Sequence, residues 1–218
     1  MPGTVTEDLE IVHSGQGGGA DIPAGGDDGG GSGGSGLPAI PRRAYFTAMS
    51  MGLAAILMFF MALTSSFIVR KGLGGDWRSF RLPGILWLNS LVLLTSSVTI
   101  EMARRQHSVA AFAAFRRWWA LTTGLGFLFL AGQVLAWRQL AAQGVYLASN
   151  PASSFFYLLT ASHGLHLLGG IVALLYVAFR AWQRSRITQS TAAELASIYW
   201  HFMDGLWVFL FLLLYLGR

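Results

Sequence analysis

Five apolar segments, separated by short polar stretches, occupy the chain from residue 46 to residue 216. Each is close to the roughly 20 residues that an α-helix needs to cross a hydrocarbon core of about 30 Å. Asn150 followed by Pro151 marks one helix start, because Asn caps helix N-termini and Pro fits the first turn. The pattern predicts an all-α fold, an integral membrane bundle of five transmembrane helices. The predicted spans are 46–69, 82–101, 118–137, 152–179 and 195–216.

The segment before residue 42 has a different composition. Of the 22 positions from Gly15 to Gly36, 12 are glycine. Such a segment buries too little apolar surface to offset the entropy that it would lose on ordering. We therefore expect residues 1–41 to form a disordered, Gly-rich cytoplasmic tail and residues 42–218 to form the transmembrane domain.

The overall composition excludes several classes of protein. The chain has 218 residues, of which 54% are hydrophobic and 11% charged, and its mean hydropathy of +0.52 is not that of a soluble domain. It contains no cysteine, which excludes disulfides, thiolate metal sites and iron–sulfur clusters. The net charge is +5, but the basic residues lie between apolar segments, as topology signals do. We therefore expect no nucleic-acid partner.

The basic residues also predict the orientation of the chain. Nine Lys or Arg residues lie on the side of the membrane that holds the amino terminus, and six lie on the opposite side. By the positive-inside rule, this bias favours an amino terminus in the cytoplasm and a carboxy terminus on the outer side.

The last apolar segment carries a polar face. Glu194, His201 and Asp204 lie seven and three residues apart, so on an α-helix they fall within an arc of roughly 80°. A carboxylate inside a membrane helix costs on the order of 3 kcal/mol, so this face should contact protein rather than lipid. Asp204 should lie near mid-membrane, where it is either neutral or paired, and His201 is its nearest candidate partner in the sequence.

Two histidines of the fourth segment, His163 and His166, allow two interpretations. With His201 from the next segment they could complete a metal site or ligate haem, as in a di-histidine b-type cytochrome. Alternatively, the three imidazoles form hydrogen bonds within a packed bundle. Gly169 and Gly170 follow closely and indicate close helix contact, which favours the second interpretation.

Two long stretches resemble a known family. Residues 194–211 read Glu-Leu-Ala-Ser-Ile-Tyr-Trp-His-Phe-Met-Asp-Gly-Leu-Trp-Val-Phe-Leu-Phe. This run resembles the final helix of cytochrome c oxidase subunit III, where an acidic residue stands six positions before a Trp-His-Phe-x-Asp-x-x-Trp motif. Residues 154–166, Ser-Phe-Phe-Tyr-Leu-Leu-Thr-Ala-Ser-His-Gly-Leu-His, are similar to that family's Phe-Tyr-x-x-Thr-Gly-x-His-Gly-x-His stretch. Weaker similarities at 82–97 and 126–137 extend the resemblance over about residues 45–218.

The resemblance implies the short, five-helix bacterial form of haem–copper oxidase subunit III, a multi-pass protein of the bacterial inner membrane. Such a subunit is a non-redox accessory to an electron-transport complex that uses cytochrome c or quinol. It stabilises the catalytic subunit, supports proton uptake, binds phospholipid and has no active site of its own, while haem and copper belong to partner subunits I and II. The residues that the resemblance implies for a structural polar network or lipid contacts are Glu194, His201, Asp204, His163, His166 and Trp200.

Two departures and two alternatives accompany the resemblance. Many family members have seven helices, so the lipid-filled cleft of the long form is not carried over to this chain. The family often has a mid-membrane glutamate where this chain has Ile56, so a proton-buffering role of that glutamate is not carried over either. The alternatives are a homologous accessory subunit of a nitric oxide reductase and a small proton-coupled transporter that uses Glu194 and Asp204.

Overall fold

The computed structural model describes residues 41–73, 75, 77, 83–108, 112–182 and 186–217. This described part folds into five α-helices and contains no strand. The helices are α1 (Arg42–Leu73), α2 (Ile85–Ser108), α3 (Phe112–Ala142), α4 (Pro151–Trp182) and α5 (Arg186–Gly217). All five are long and apolar enough to cross a membrane, which confirms the predicted all-α integral membrane bundle. The predicted tail, apart from Pro41, and the predicted start of the second span at Leu82 lie outside the described residues.

The helices are longer than the predicted spans. α1, α4 and α5 have 32 residues each, which corresponds to about 48 Å and exceeds a hydrocarbon core of about 30 Å. The additional turns carry polar or basic side chains, such as Arg42 at the start of α1 and Arg70 and Lys71 in its last turn. The length of an apolar run predicts only the part of a helix that lies in hydrocarbon. The turns that project into the headgroup region are therefore not included in the predicted span.

The start of α4 shows how a local sequence sets a helix boundary. The Ser153 amide donates to Asn150 Oδ1 at 3.0 Å, and the Asn150 amide donates to Ser153 Oγ at 3.2 Å. This reciprocal pair satisfies amide groups that the first turn of a helix leaves without partners, and it confirms the predicted Asn150 cap. Gly144, in the turn after α3, has a φ of +76°, which glycine adopts without the steric penalty that other residues incur.

Four of the helices form a ring. α2 contacts α3, α3 contacts α4, α4 contacts α5, and α5 returns to contact α2. Helices that follow one another in the chain are antiparallel, because each crossing of the membrane is followed by a crossing back. α1 packs on the outside of this ring, against α4 and α5. The closure of the ring brings the polar residues of α5 against α2.

Aromatic side chains fill the middle of the ring. Trp119, Trp200, Trp207, Phe129 and Phe156 are all fully buried. The outer surface, in contrast, carries many exposed leucine, valine, methionine and phenylalanine side chains. A surface that is apolar on all sides is expected where lipid, rather than water, is the solvent.

Candidate functional site

The two tryptophans of the final helix bind to serines of α2. The indole N–H of Trp200 donates to Ser96 Oγ at 3.0 Å. The indole N–H of Trp207 donates to Ser90 Oγ, also at 3.0 Å. The later tryptophan of α5, Trp207, contacts the earlier serine of α2, Ser90, as expected for two antiparallel helices. We name this contact region the α2–α5 seam, and its polar members are Ser90, Ser96, Ser97, Trp200, His201, Asp204 and Trp207.

His201 is hydrogen-bonded to α2, although the sequence offers Asp204 as its nearest partner. Its Nδ1 atom lies 2.7 Å from Ser97 Oγ. Although His201 and Asp204 share a helix face, the imidazole is therefore hydrogen-bonded to the neighbouring helix. His201 is also close enough to Glu101 and Arg104, near the end of α2, to interact with them electrostatically.

Asp204 is a buried acid, with only 4% of its surface exposed. Neither of its carboxyl oxygens has a hydrogen-bond partner of normal geometry among the described residues. An ionised carboxylate here would lack the partners that normally offset its desolvation. The hydrogen-bonding capacity of Asp204 is therefore largely unused within the described part of the chain.

Glu194 lies at the rim of the bundle rather than inside it. Its side chain is 35% exposed, and its Oε2 atom lies 2.5 Å from Arg42 Nη2 in the first turn of α1. Arg104 of α2 is also close enough to attract Glu194 electrostatically. Glu194 therefore joins α5 to α1 at the amino-terminal rim, although exposed ion pairs stabilise a fold by only about 0–1 kcal/mol.

His163 and His166 contact different helices although they are three residues apart. His163 is fully buried, and its ring centroid lies 5.9 Å from that of Phe129 on α3 and 5.1 Å from that of Trp207 on α5. Neither of its ring nitrogens has a hydrogen-bond partner among the described residues. The His166 ring turns towards α1, where its centroid lies 5.5 Å from that of Phe60.

The three imidazoles of the predicted site do not converge. His163 lies inside the ring, His166 faces α1, and His201 faces α2. The Nδ1 atom of His166 lies 2.7 Å from the carbonyl oxygen of Ser162 on its own helix. Within the described ranges, no three histidine, aspartate or glutamate side chains are grouped closely enough to hold a metal ion. The described residues therefore do not bring His163, His166 and His201 together as the predicted three-histidine metal site would require.

Trp200 connects α5 to the three other helices of the ring. Its N–H binds α2, and its ring lies against glycines of α3 and α4. A Cβ atom added at Gly126 would lie 2.7 Å from Trp200 Cη2, and one added at Gly170 would lie 3.3 Å from Trp200 Cε3. The close helix contact predicted at Gly170 is therefore confirmed. The absence of side chains at both glycines makes room for the indole at the centre of the ring.

Sequence reasoning does not identify the serines of α2 as members of the site. Ser90 and Ser97 are seven residues apart, so they share a helix face, as Glu194 and His201 do on α5. This spacing is the signal that indicates a matching polar face. The signal is weak on its own, because small hydroxyl residues are common wherever membrane helices pack closely.

Comparison with known proteins identifies the family. The profile described as cytochrome c oxidase subunit III matches residues 45–217, which extend from α1 to the end of α5. The chain belongs to the cytochrome c oxidase subunit III family. The resemblance drawn from the sequence motifs is thereby confirmed.

Several bacterial members of the cytochrome c oxidase subunit III family are similar to the chain over most of its length. A probable cytochrome c oxidase subunit 3 of Mycobacterium bovis is 35% identical over 176 residues, which cover 76% of this chain and 84% of that protein. Cytochrome c oxidase subunit 3 of Corynebacterium diphtheriae is 33% identical over 172 residues, with coverages of 75% and 83%. The protein of the same name from Synechocystis is 30% identical over 173 residues, with coverages of 75% and 72%.

The Trp-His-Phe-x-Asp-x-x-Trp motif of the subunit III family lies along the α2–α5 seam of this chain. Trp200 and Trp207 direct their N–H groups to serines of α2, and His201 contacts a third serine. These groups therefore join helices to one another. Asp204 differs from them, because it is buried without a hydrogen bond of normal geometry to any described residue.

Proposed function

We propose that the chain is the non-redox accessory subunit III of a bacterial haem–copper terminal oxidase, which transfers electrons from cytochrome c or quinol to oxygen. It packs against catalytic subunit I and subunit II, stabilises the catalytic subunit and supports proton uptake during aerobic electron transport. The haem and copper centres belong to those partners, and the chain has no active site of its own. The observation that carries this proposal is the family match over residues 45–217.

The packing of the α2–α5 seam supports a structural role for the chain. Trp200, His201 and Trp207 are each engaged with a serine of α2. Trp200 is in addition enclosed by backbone at Gly126 and Gly170, so the ring of helices has little freedom to rearrange. A rigid ring presents a constant outer surface to partner subunits, which is what a stabilising accessory subunit requires.

The charges of the amino-terminal rim support an orientation. Arg42 pairs with Glu194, and Glu101 pairs with Arg104 and Arg105, all near the membrane side from which α1 starts. By the positive-inside rule we assign this rim to the cytoplasmic face of the bacterial inner membrane and the carboxy terminus to the periplasmic or extracellular face. Support of proton uptake would then act from this rim, and phospholipid would cover the apolar outer surface.

Purification of the tagged chain in mild detergent from its native membrane tests the proposal. We expect a haem–copper oxidase subunit I to co-purify, identified by mass spectrometry, and all haem absorbance to belong to that partner. A nitric oxide reductase catalytic subunit in its place would overturn the oxidase assignment. A chain that purifies alone with its own haem, or that alone drives substrate uptake into vesicles, would overturn the accessory role as well.

Deletion of the chain tests whether it stabilises the catalytic subunit without taking part in catalysis. The complex without it should keep its haem content but lose activity sooner during turnover. Complementation with Gly126→Leu, which leaves no room for Trp200, should fail to restore the active lifetime. Complementation with Gly124→Ala is the matched control and should succeed, because no atom lies within 4 Å of the added Cβ. Equal lifetimes with and without the chain would contradict the proposed role.

A further inference from the structure

Two buried polar side chains, Gln133 of α3 and His163 of α4, have no hydrogen-bond partner among the described residues. Gln133 is 2% exposed, and neither its amide nitrogen nor its amide oxygen is hydrogen-bonded to them. His163 is fully buried, and the same holds for both of its ring nitrogens. Burial of an amide or an imidazole without a partner is unfavourable, and ordered water commonly supplies the partner inside proteins.

The two side chains lie at the same depth on facing helices. One turn before Gln133, the ring centroid of Phe129 lies 5.9 Å from that of His163. One turn after Gln133, Trp137 donates its N–H to Thr160 Oγ1 at 3.1 Å, and Thr160 is one turn before His163 on α4. Because Phe129 and Trp137 both face α4, Gln133 between them faces α4 as well. These contacts bring the Gln133 amide to the level of His163.

An enclosed space adjoins these groups at Gly164, the residue after His163. Gly164 is buried, yet a Cβ atom added to it would have no heavy atom within 4 Å outside its own stretch of helix. The other buried glycines that the structure describes differ, because an added Cβ would lie within 3.1 Å of a side chain at Gly126, Gly132, Gly170 and Gly217. The space beside Gly164 is therefore closed to solvent and is not filled by a neighbouring helix.

The chemistry of the lining suits water. The Gln133 amide both donates and accepts hydrogen bonds, and a neutral imidazole has one donor and one acceptor nitrogen. Water also donates and accepts, so it can bond to both side chains with either tautomer of His163. An amide and a neutral imidazole carry no full charge, so they match a neutral polar ligand better than an ion.

We propose that Gln133, His163 and Gly164 form an internal hydration site, in which ordered water bridges the Gln133 amide and the His163 imidazole. The water accepts a hydrogen bond from the amide N–H and donates one to the unprotonated ring nitrogen. With the other tautomer, it accepts from the ring N–H and donates to the amide carbonyl. The site joins α3 to α4 inside the ring, so it complements the α2–α5 seam, and it goes beyond the proposed function.

Electron cryo-microscopy of the intact purified complex, at a resolution that shows ordered water, tests the inference. We expect a density peak about 3 Å from both the Gln133 amide and a ring nitrogen of His163. In Gln133→Leu the peak should disappear, because the water loses a partner. Thr123→Val is the matched control on α3 and should keep the peak, since the Thr123 hydroxyl donates to the Trp119 carbonyl of its own helix at 3.0 Å.

Gly164→Ala provides a second test that leaves both polar side chains in place. The added methyl group meets no atom of another helix, and alanine has a higher helix propensity than glycine. On these grounds alone the variant should be at least as stable as the wild type. If water occupies the space, the methyl group displaces it and leaves Gln133 and His163 unpaired. The subunit within the complex should then become sensitive to protease at a lower denaturant concentration than in Gly124→Ala, an exposed glycine with equally open surroundings.

Three results would overturn the inference. They are a wild-type map without the peak, a map in which the Gln133 amide bonds directly to His163, and a Gly164→Ala subunit that resists denaturant as well as Gly124→Ala does. If Gln133→Leu does not assemble, the wild-type map and the comparison of the two alanine variants decide the question.

Discussion

Replacement of Gly126 with alanine should force Trp200 out of its place at the centre of the helix ring. The added Cβ would lie 2.7 Å from Cη2 and 3.2 Å from Cζ2 of the indole. The indole cannot move away freely, because it is fully buried and its N–H donates to Ser96 Oγ at 3.0 Å. On the side that faces α4, the backbone at Gly170 packs closely against the ring. Overpacking of a tight core of this kind costs about 1–3 kcal/mol of the free energy of unfolding.

Gly124 provides the matched control for this experiment. It lies on the same helix, and an added Cβ would meet no atom within 4 Å. Both alanine variants gain helix propensity of up to about 1 kcal/mol, so the difference between them isolates the overpacking of Trp200. We therefore expect Gly126→Ala to be about 1–3 kcal/mol less stable than Gly124→Ala.

Denaturant-induced loss of helicity, measured on the purified chain in detergent micelles, checks this difference. Trp200→Phe should reduce the cost of Gly126→Ala, because the smaller ring leaves space for the added methyl group, and the two substitutions should therefore be non-additive. Equal stabilities of Gly126→Ala and Gly124→Ala would refute the reasoning. Trp200 would then have room to move, and the inference that the helix ring is rigid would be wrong.

Three further predictions concern other contacts of the bundle. Ser90→Ala should cost about 1 kcal/mol of the free energy of unfolding in the same assay, because the buried Trp207 N–H loses its acceptor. Arg42→Ala should cost about 0–1 kcal/mol, and this cost should decrease in high salt, because the pair with Glu194 is partly exposed. Ile56→Glu should reduce membrane insertion by about 3 kcal/mol, measured in an insertion assay with Ile56→Gln as control. A fully inserted Ile56→Glu chain would indicate a counter-ion for that glutamate.

The number and order of the helices can be predicted from the sequence because lipid imposes a strong rule. Every backbone group in hydrocarbon must be bonded within its own helix, so each apolar run of sufficient length corresponds to one helix. The cap at Asn150 could be predicted for the same local reason, since it depends on residues within one turn. The helix ends at Arg42 and Ala142 could not, because the turns outside hydrocarbon are not marked by apolar residues.

The contacts of the candidate site could be predicted only in part. Helix geometry alone gives the shared face of His201 and Asp204. The rotation of α5 against its neighbours depends on packing of the whole ring, so the Ser97 contact of His201 is not visible in any local pattern. The partner of Glu194 is Arg42, which is 152 residues away in the sequence. Long-range pairs of this kind are set by the tertiary arrangement, which spacing along one helix does not encode.

The position of α1 outside the ring has a consequence for biosynthesis. Helices enter the membrane in the order in which the ribosome produces them, so α1 is inserted before α2, α3, α4 and α5. Within the described part of the chain, α1 contacts α4 and α5 but neither α2 nor α3. Its docking partners are therefore the last two of the five described helices to be made, and α1 must remain in lipid or beside the insertion machinery until they are inserted. Among these five helices, the one that is inserted before the other four is thus the last to dock, and its docking surface is complete only when α5 has been inserted.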